Sequence, residues 1–396
     1  FDAGGLAGSA DPSGDALVDG AVLEEFAEAG HSDDGVLTGG FDDGGAGVKV
    51  HVPVDSPGAN FPICKLTRAR GLKVVHLVAP QIWAWASWRI RKLRRVTDLV
   101  LCLLPFEEAW FLERGVAAKF IGHPLFDEQL DMAALNARAA MLPARGAPKL
   151  ALMPGSRPSE WEASFPILLD AYRRVKQDFP EAAAVVAATG PEAERRLREV
   201  AAGQGGWPAD MTVLCADTDA VVRWCDMALV VSGTVTLQIA RQLKPMVAVY
   251  RPRKMMYYTL GWWLISTRVY TLPNLIAGAT AGGAGGSNKI IPEFIPHFGD
   301  GEDLAVEVIK FMRRTGYADD QRAGLAAVCK RFEGFSAGPS AADAIEKVLA
   351  DLGSPISNFK SDPHPHNGVA PKSAIRDRRS EITPRAASED PAAPAS

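Results

Sequence analysis

Leu150-Ala-Leu-Met-Pro-Gly-Ser-Arg157 is a short apolar run that breaks at Pro-Gly and delivers a serine and an arginine onto a turn. The stretch behind it, Ser159–Lys176, has the spacing of an amphipathic helix, which puts Ser156 and Arg157 at a helix N-terminus. Such a place favours anions: backbone N–H groups lack partners there, the helix dipole is positive, and a guanidinium grips phosphate oxygens through two bonds at once. A second turn of this kind, Val230-Val-Ser-Gly-Thr-Val-Thr236, follows another apolar run and offers Ser232, Gly233 and Thr234. Strand-to-helix turns with glycine occur throughout α/β proteins, but two in succession, the first carrying an arginine, point to one site for a nucleoside diphosphate. Arg251, at the end of a further apolar run, is a second candidate for the diphosphate. The reading includes neither metal nor cofactor.

The elements that must hold these turns alternate along the chain. Strands are expected at 48–54, 73–78, 98–104 and 119–121, with helices at 61–70, 87–95 and 106–114, and Gly71 and Gly115 as helix stops. A second array has strands at 150–153, 183–187, 211–214, 228–231 and 246–250, and helices at 159–176, 192–202, 219–225 and 235–243. This alternation predicts two Rossmann-like, doubly wound α/β domains facing a cleft. The expected organisation is an irregular Gly/Asp-rich start over 1–47, a Rossmann-like domain over 48–145, and a nucleotide-binding Rossmann-like domain with C-terminal helices over 146–351. The tail, 352–396, is rich in Pro, Ser, Ala and charge and is expected to be disordered.

Composition narrows the class. With 396 residues and 47% hydrophobic content the chain can bury two cores, and a net charge of −4 argues against a general nucleic-acid binder. Five cysteines stand without metal-ligand spacing, which suits a reducing cytoplasm. No signal peptide is legible, and the apolar run 255–266 is too short to span a bilayer. Trp83, Trp85 and Trp88 run into Arg89-Ile-Arg-Lys-Leu-Arg-Arg95. That segment reads either as a surface for anionic headgroups or as a solvated helix face with the tryptophans in the core. The apolar stretch 257–265 reads as an acyl-chain contact or a buried helix.

Eight motifs in order carry a family resemblance. They are Asp11-Pro-Ser-Gly-Asp15, Val54-Asp-Ser-Pro57 with Asn60, Pro80-Gln-Ile-Trp-Ala-Trp85, Leu104-Pro-Phe-Glu-Glu108, Phe120-Ile-Gly-His-Pro124, Met153-Pro-Gly-Ser-Arg157, Ser232-Gly-Thr-Val-Thr236 and Leu272-Pro-Asn-Leu-Ile-Ala-Gly278. The chain resembles the lipid-A-disaccharide synthases over roughly 9–350. The resemblance implies a glycosyltransferase-B fold and an inverting transfer of 2,3-diacylglucosamine from UDP to 2,3-diacylglucosamine 1-phosphate, on the cytoplasmic face of the inner membrane. The implied partners are these two lipids and the membrane surface, and the resemblance also admits a homo-oligomer.

The resemblance assigns roles residue by residue. Asp55 matches the family's candidate catalytic base, and Asp11 and Asn274 match active-site positions. Ser156, Arg157, Ser232, Gly233 and Thr234 would hold the diphosphate. Gln238 stands where the family carries a Glu that accepts from the ribose. His123 reads as a hinge or cleft-lining group, Glu107 and Glu108 as caps at a helix start, and Glu160 and Glu162 as partners of a helix dipole.

The chain also departs from the pattern. Only about 40 residues separate Asp15 from Asp55, the motif's first acid is Asp11 instead of Glu, and residues 279–287 add a Gly/Ala insertion. The N-terminal domain therefore reads as incomplete. Two alternatives follow: a catalytically impaired UDP-binding relative or fragment, and another UDP-sugar enzyme of the same fold, such as a peptidoglycan glucosaminyltransferase or a UDP-N-acetylglucosamine 2-epimerase. The Trp-Ala-Trp and Leu-Pro-Asn-Leu motifs favour the first reading over the last.

Overall fold

The structure, a computed structural model, describes residues 49–351 except 85, 253–266, 268 and 279–288. Asp11, Trp85, the apolar stretch 257–265, the Gly/Ala insertion and the tail lie outside the described residues.

The first sheet has four parallel strands in sequential order. These are β1 (Val50–His51), β2 (Lys73–Leu77), β3 (Leu99–Cys102) and β4 (Ala118–Phe120), connected by α1 (Pro57–Ala69), α2 (Ile90–Val96) and α3 (Glu107–Leu112). The strand expected over 48–54 pairs only at Val50–His51 and again through a bridge from Val54 to Leu77. Pro53 between them has no N–H to give to a ladder. Helix α1 starts four residues before its expected start, because Pro57 at the first position is already shaped for a helix. Gly71 and Gly115 take φ of 82° and 70°, the left-handed stops expected of them.

The connection between the arrays holds α4 (Met132–Ala140), whose N-terminus Asp131 caps by accepting from the amides of Ala133 and Ala134, both at 3.0 Å. The second sheet has six parallel strands: β5 (Lys149–Met153), β6 (Ala183–Ala188), β7 (Met211–Cys215), β8 (Met227–Val231), β9 (Met246–Val249) and β10 (Glu293–Phe294). Between them run α5 (Pro158–Asp178), α6 (Pro191–Ala202), α7 (Thr218–Trp224), α8 (Val235–Arg241) and the short α9 (Leu272–Ile276). The chain winds one way through β5, β6 and β7 and then returns to lay β8, β9 and β10 on the other side of β5. The switch point therefore lies between β5 and β8, where ligands of such sheets bind beyond the carboxyl ends of the strands. Leu150, Leu152, Val186, Leu229 and Val247 are fully buried in this sheet, as strands covered on both faces require.

Three longer helices follow among the described residues: α10 (Glu302–Arg313), α11 (Thr315–Cys329) and α12 (Ala337–Ala350). Helix α10 packs on α5, but α12 returns to the first sheet, where Ala341, Ala344 and Val348 join Val75, Leu77 and Leu99 in one apolar cluster. The last helix thus covers the first domain, although its position in the chain places it with the second. A shared core also joins the two sheets: Phe61, Trp83 and Trp110 of the first half pack with Leu237, Leu275, Val328 and Phe332 of the second.

Candidate functional site

Both glycine turns open into one cleft. Its walls are Gly155, Ser156, Arg157 and Glu160 after β5, Ala187, Ala188 and Thr189 at the end of β6, Thr218, and Ser232, Gly233, Thr234, Val235 and Gln238 after β8. Five of the six residues expected to hold a diphosphate therefore line one space at the switch point, and Gln238 joins them from α8.

The first turn contains an acid that sequence reasoning treated only as a dipole partner. Glu160 accepts through Oε2 from the amides of Ser156 at 3.0 Å and Arg157 at 3.2 Å, and its Oε1 lies 3.3 Å from the Arg157 guanidinium. The carboxylate thus fills the anion position that the helix start creates. Gly155 makes room for it. This residue has φ of 99°, and a Cβ there would stand 2.2 Å from Glu160 Oε2. The Trp161 indole N–H, donating to the Gly155 carbonyl at 2.9 Å, pins the turn from the other side. The available signal was position: Glu160 is the third residue of a helix that begins with Pro158. In the second turn Thr236 Oγ1 donates to the Gly233 carbonyl at 2.7 Å and Ser232 Oγ to the Tyr270 carbonyl at 3.1 Å.

Arg251 does not line this cleft. It donates to the Gly299 carbonyl, and burial lowers its pKa. Asn274 is also away from the cleft, fully buried. Its amide N–H groups go to the Ile291 carbonyl and Glu293 Oε1, both at 2.8 Å, and its oxygen accepts from the Ile291 amide at 2.9 Å. Both donors are spent on tying α9 to the edge strand, which gives Asn274 a structural part. Glu293, which sequence reasoning missed, gathers that corner by also accepting from the Thr271 amide at 2.8 Å and from Lys289 at 2.9 Å.

Asp55 lies on the first domain, just past the Val54 bridge, and takes φ of 42°. A left-handed aspartate persists only where its surroundings fix it. Here the Asp55 amide donates to the Leu77 carbonyl at 3.0 Å, and Asn60 Nδ2 donates to the carbonyls of Val54 and Asp55, both at 2.8 Å. His76 Nε2 lies 3.0 Å from the Asp55 carbonyl, an arrangement that requires the proton on that nitrogen. Burial pushes the His76 pKa down to about 4, which leaves the ring neutral at pH 7.

Close to Asp55 is Glu107, 2% exposed. It accepts from the Trp83 indole N–H at 2.9 Å through Oε1 and from the Leu104 amide at 3.0 Å through Oε2. Burial raises its pKa to about 7 against these hydrogen bonds, and the charge of Asp55 adds to the rise. The expected capping role is visible in the Leu104 contact, but the bond to Trp83 was not legible. Glu108 caps nothing at the helix start and instead accepts from the Phe120 amide at 3.2 Å. His123 is buried and does not line the cleft: Nδ1 accepts from the Leu125 amide at 3.2 Å, the ring meets Phe126 and Phe332 edge-to-face, and burial lowers its pKa to about 4. Among the described residues no three His, Cys, Asp or Glu side chains gather as a metal site.

A cleft at the switch point of one parallel α/β domain, with a second such domain packed beside it, is the glycosyltransferase-B architecture. The UDP-N-acetylglucosamine 2-epimerase of Neisseria meningitidis, bound to UDP-N-acetylglucosamine, shares this fold at a TM-score of 0.50 and 10% identity, over 76% of each chain. A family model described as lipid-A-disaccharide synthetase matches residues 46–314, well over half of the chain. The lipid-A-disaccharide synthase of Paraburkholderia phytofirmans is 34% identical over 269 residues, covering 67% of this chain and 65% of that protein. That of Pseudomonas syringae pv. syringae is 31% identical over 301 residues, covering 76% and 75%. The matches thus span about two thirds to three quarters of these relatives' lengths. The chain belongs to the lipid-A-disaccharide synthetase family, a family of glycosyltransferases.

Proposed function

We propose that the chain transfers 2,3-diacylglucosamine from UDP to 2,3-diacylglucosamine 1-phosphate with inversion, releasing UDP. The observation that carries this reading is the convergence of Arg157 and both glycine turns on one cleft in a chain of this family. The guanidinium and the amides of Gly233 and Thr234 would hold the leaving diphosphate, offsetting the charge that grows as the glycosidic bond breaks. Gln238 would contact the ribose through its amide, which can donate as well as accept, unlike the family's Glu. Asp55, fixed by Asn60 and His76, would take the proton of the acceptor hydroxyl as that oxygen attacks the anomeric carbon. Asp11, by resemblance alone, belongs to the same acceptor side.

The acyl chains of both substrates call for a membrane surface. No described helix is long and apolar enough to cross a bilayer. The segment before β3 offers a surface instead. Trp88 is 52% exposed and Arg91, Lys92, Arg94 and Arg95 are exposed beside it, whereas Trp83 is core. An exposed indole amid cations suits an anionic headgroup layer, in keeping with a peripheral place on the inner face of the inner membrane. Co-sedimentation with vesicles tests this point: binding is expected to anionic vesicles and to weaken when Arg91, Lys92, Arg94 and Arg95 become Gln, and equal binding by that variant would refute it. The reaction itself is tested by following disaccharide formation from the two lipids.

A further inference from the structure

A second, smaller cavity adjoins the nucleotide cleft. Gln81, Trp83 and Ala84 of the loop after β2 form one wall, Val269 and Leu272 another, and Gly233 closes the side toward the cleft. Gly233 lines both spaces. A diphosphate held by the β8 turn would therefore lie beside the loop that carries Gln81 and Trp83. That indole is fixed on two sides, by an edge-to-face contact with Phe106 at 4.9 Å and by its bond to the buried Glu107 carboxyl. Glu107 also holds the Leu104 amide and lies close enough to Asp55 to feel its charge.

We propose that Glu107 is a positioning residue, acting through the buried Trp83 to set the 81–84 loop against which the hexosyl end of a nucleoside diphosphate sugar lies. The inference rests on the nucleotide-sugar reading of the cleft and adds to it a residue on the opposite domain. Glu107 need not touch the sugar. It fixes a loop of the first domain, so the loop meets the sugar while the second domain keeps the nucleotide. Losing the Glu107 bond should therefore weaken binding of the sugar and leave binding of the nucleotide alone.

The test is calorimetric titration of the full chain, wild type and variants, with UDP and with UDP-2,3-diacylglucosamine in mixed micelles. Glu107→Gln, which leaves one acceptor for the two N–H groups of Trp83 and Leu104, is expected to weaken the sugar nucleotide by about 2- to 12-fold, the size of one ordinary hydrogen bond, with UDP affinity within about twofold. Trp83→Phe, which keeps a ring and deletes the N–H, should do the same, and the double variant should be no weaker than either single one. Trp83→Phe carries the test by itself if Glu107→Gln does not fold. An unchanged preference for the sugar nucleotide, or losses that multiply in the double variant, would overturn the inference. Equal losses for UDP and the sugar nucleotide would make Glu107 a structural residue only. Wild type that binds no UDP would remove the nucleotide reading and this inference with it.

Discussion

Arg157→Ala separates a binding role from a folding role. The Arg157 side chain is 38% exposed and pairs with Glu160 Oε1 at 3.3 Å. An ion pair so open to water contributes at most about 1 kcal/mol to stability, so the variant should unfold at nearly the wild-type urea concentration. Binding should respond far more. A hydrogen bond between a guanidinium and a phosphate is worth about 1.5–3 kcal/mol, which predicts UDP affinity about 10- to 150-fold weaker by calorimetry. Removing Arg157 also leaves the Glu160 carboxylate facing the diphosphate without a cation. A unit charge about 5 Å away costs between about 1 kcal/mol at the dielectric of water and about 3 at that typical of protein surfaces. Adding Glu160→Gln to Arg157→Ala should therefore recover several-fold of the lost affinity, whereas Arg157→Lys should fall between wild type and Ala, since it keeps the charge and loses the fork. Unchanged UDP affinity in Arg157→Ala, or a fall in stability as large as the fall in affinity, would refute the reasoning.

Other perturbations report on the remaining parts. Gly155→Ala should cost about 1–3 kcal/mol in urea denaturation and weaken UDP, because a Cβ would meet Glu160 Oε2 at 2.2 Å on a backbone with φ of 99°; wild-type behaviour would show that the turn can reshape. Asn274→Ala should lose about 2–4 kcal/mol, since it strands the Ile291 backbone, while the turnover of the folded enzyme stays within a few-fold; a stable variant with lost turnover would return Asn274 to the active site. Glu107, raised to about 7 in the fold, binds a proton there that the unfolded chain has released above about pH 4.5. Its contribution is full below that pH and is lost as pH rises to about 7, by about 3 kcal/mol in all, so Glu107→Gln should flatten the stability profile across this window. An unchanged profile would place the titration elsewhere.

Much of this architecture was legible because it is written locally. Apolar runs such as Leu150–Met153 and Ala228–Val231 can only be buried strands, and Gly71, Gly115 and Pro57 mark ends whose geometry few other residues allow. The nucleotide cleft was legible for the same reason, since a turn between strand and helix fixes its own residues. What escaped was decided at long range. Glu293–Phe294 is too short an edge strand to show a period, and the return of α12 to the first sheet depends on a surface roughly 240 to 270 residues away in sequence. Side-chain direction escaped too. Nothing in Leu272-Pro-Asn274 says whether the amide faces a cavity or the Ile291 backbone, and nothing in Phe106-Glu107 says that Trp83 waits above it. The left-handed φ of Asp55 is likewise set by Asn60, His76 and Leu77, partners the turn itself does not contain.

The most direct measurement of the whole account is product formation by this chain and by Asp55→Asn. UDP-2,3-diacylglucosamine and 2,3-diacylglucosamine 1-phosphate are incubated with each protein, and the disaccharide 1-phosphate and UDP are followed by mass spectrometry. Disaccharide and UDP are expected in equal amounts from the wild type. Asp55→Asn should be slower by roughly 10²–10⁴-fold, with UDP binding unchanged because the nucleotide turns lie on the other domain. Wild type that binds UDP yet forms no disaccharide would contradict the proposed reaction and leave an impaired relative of the family, and an Asp55→Asn variant as fast as wild type would contradict the assignment of the base.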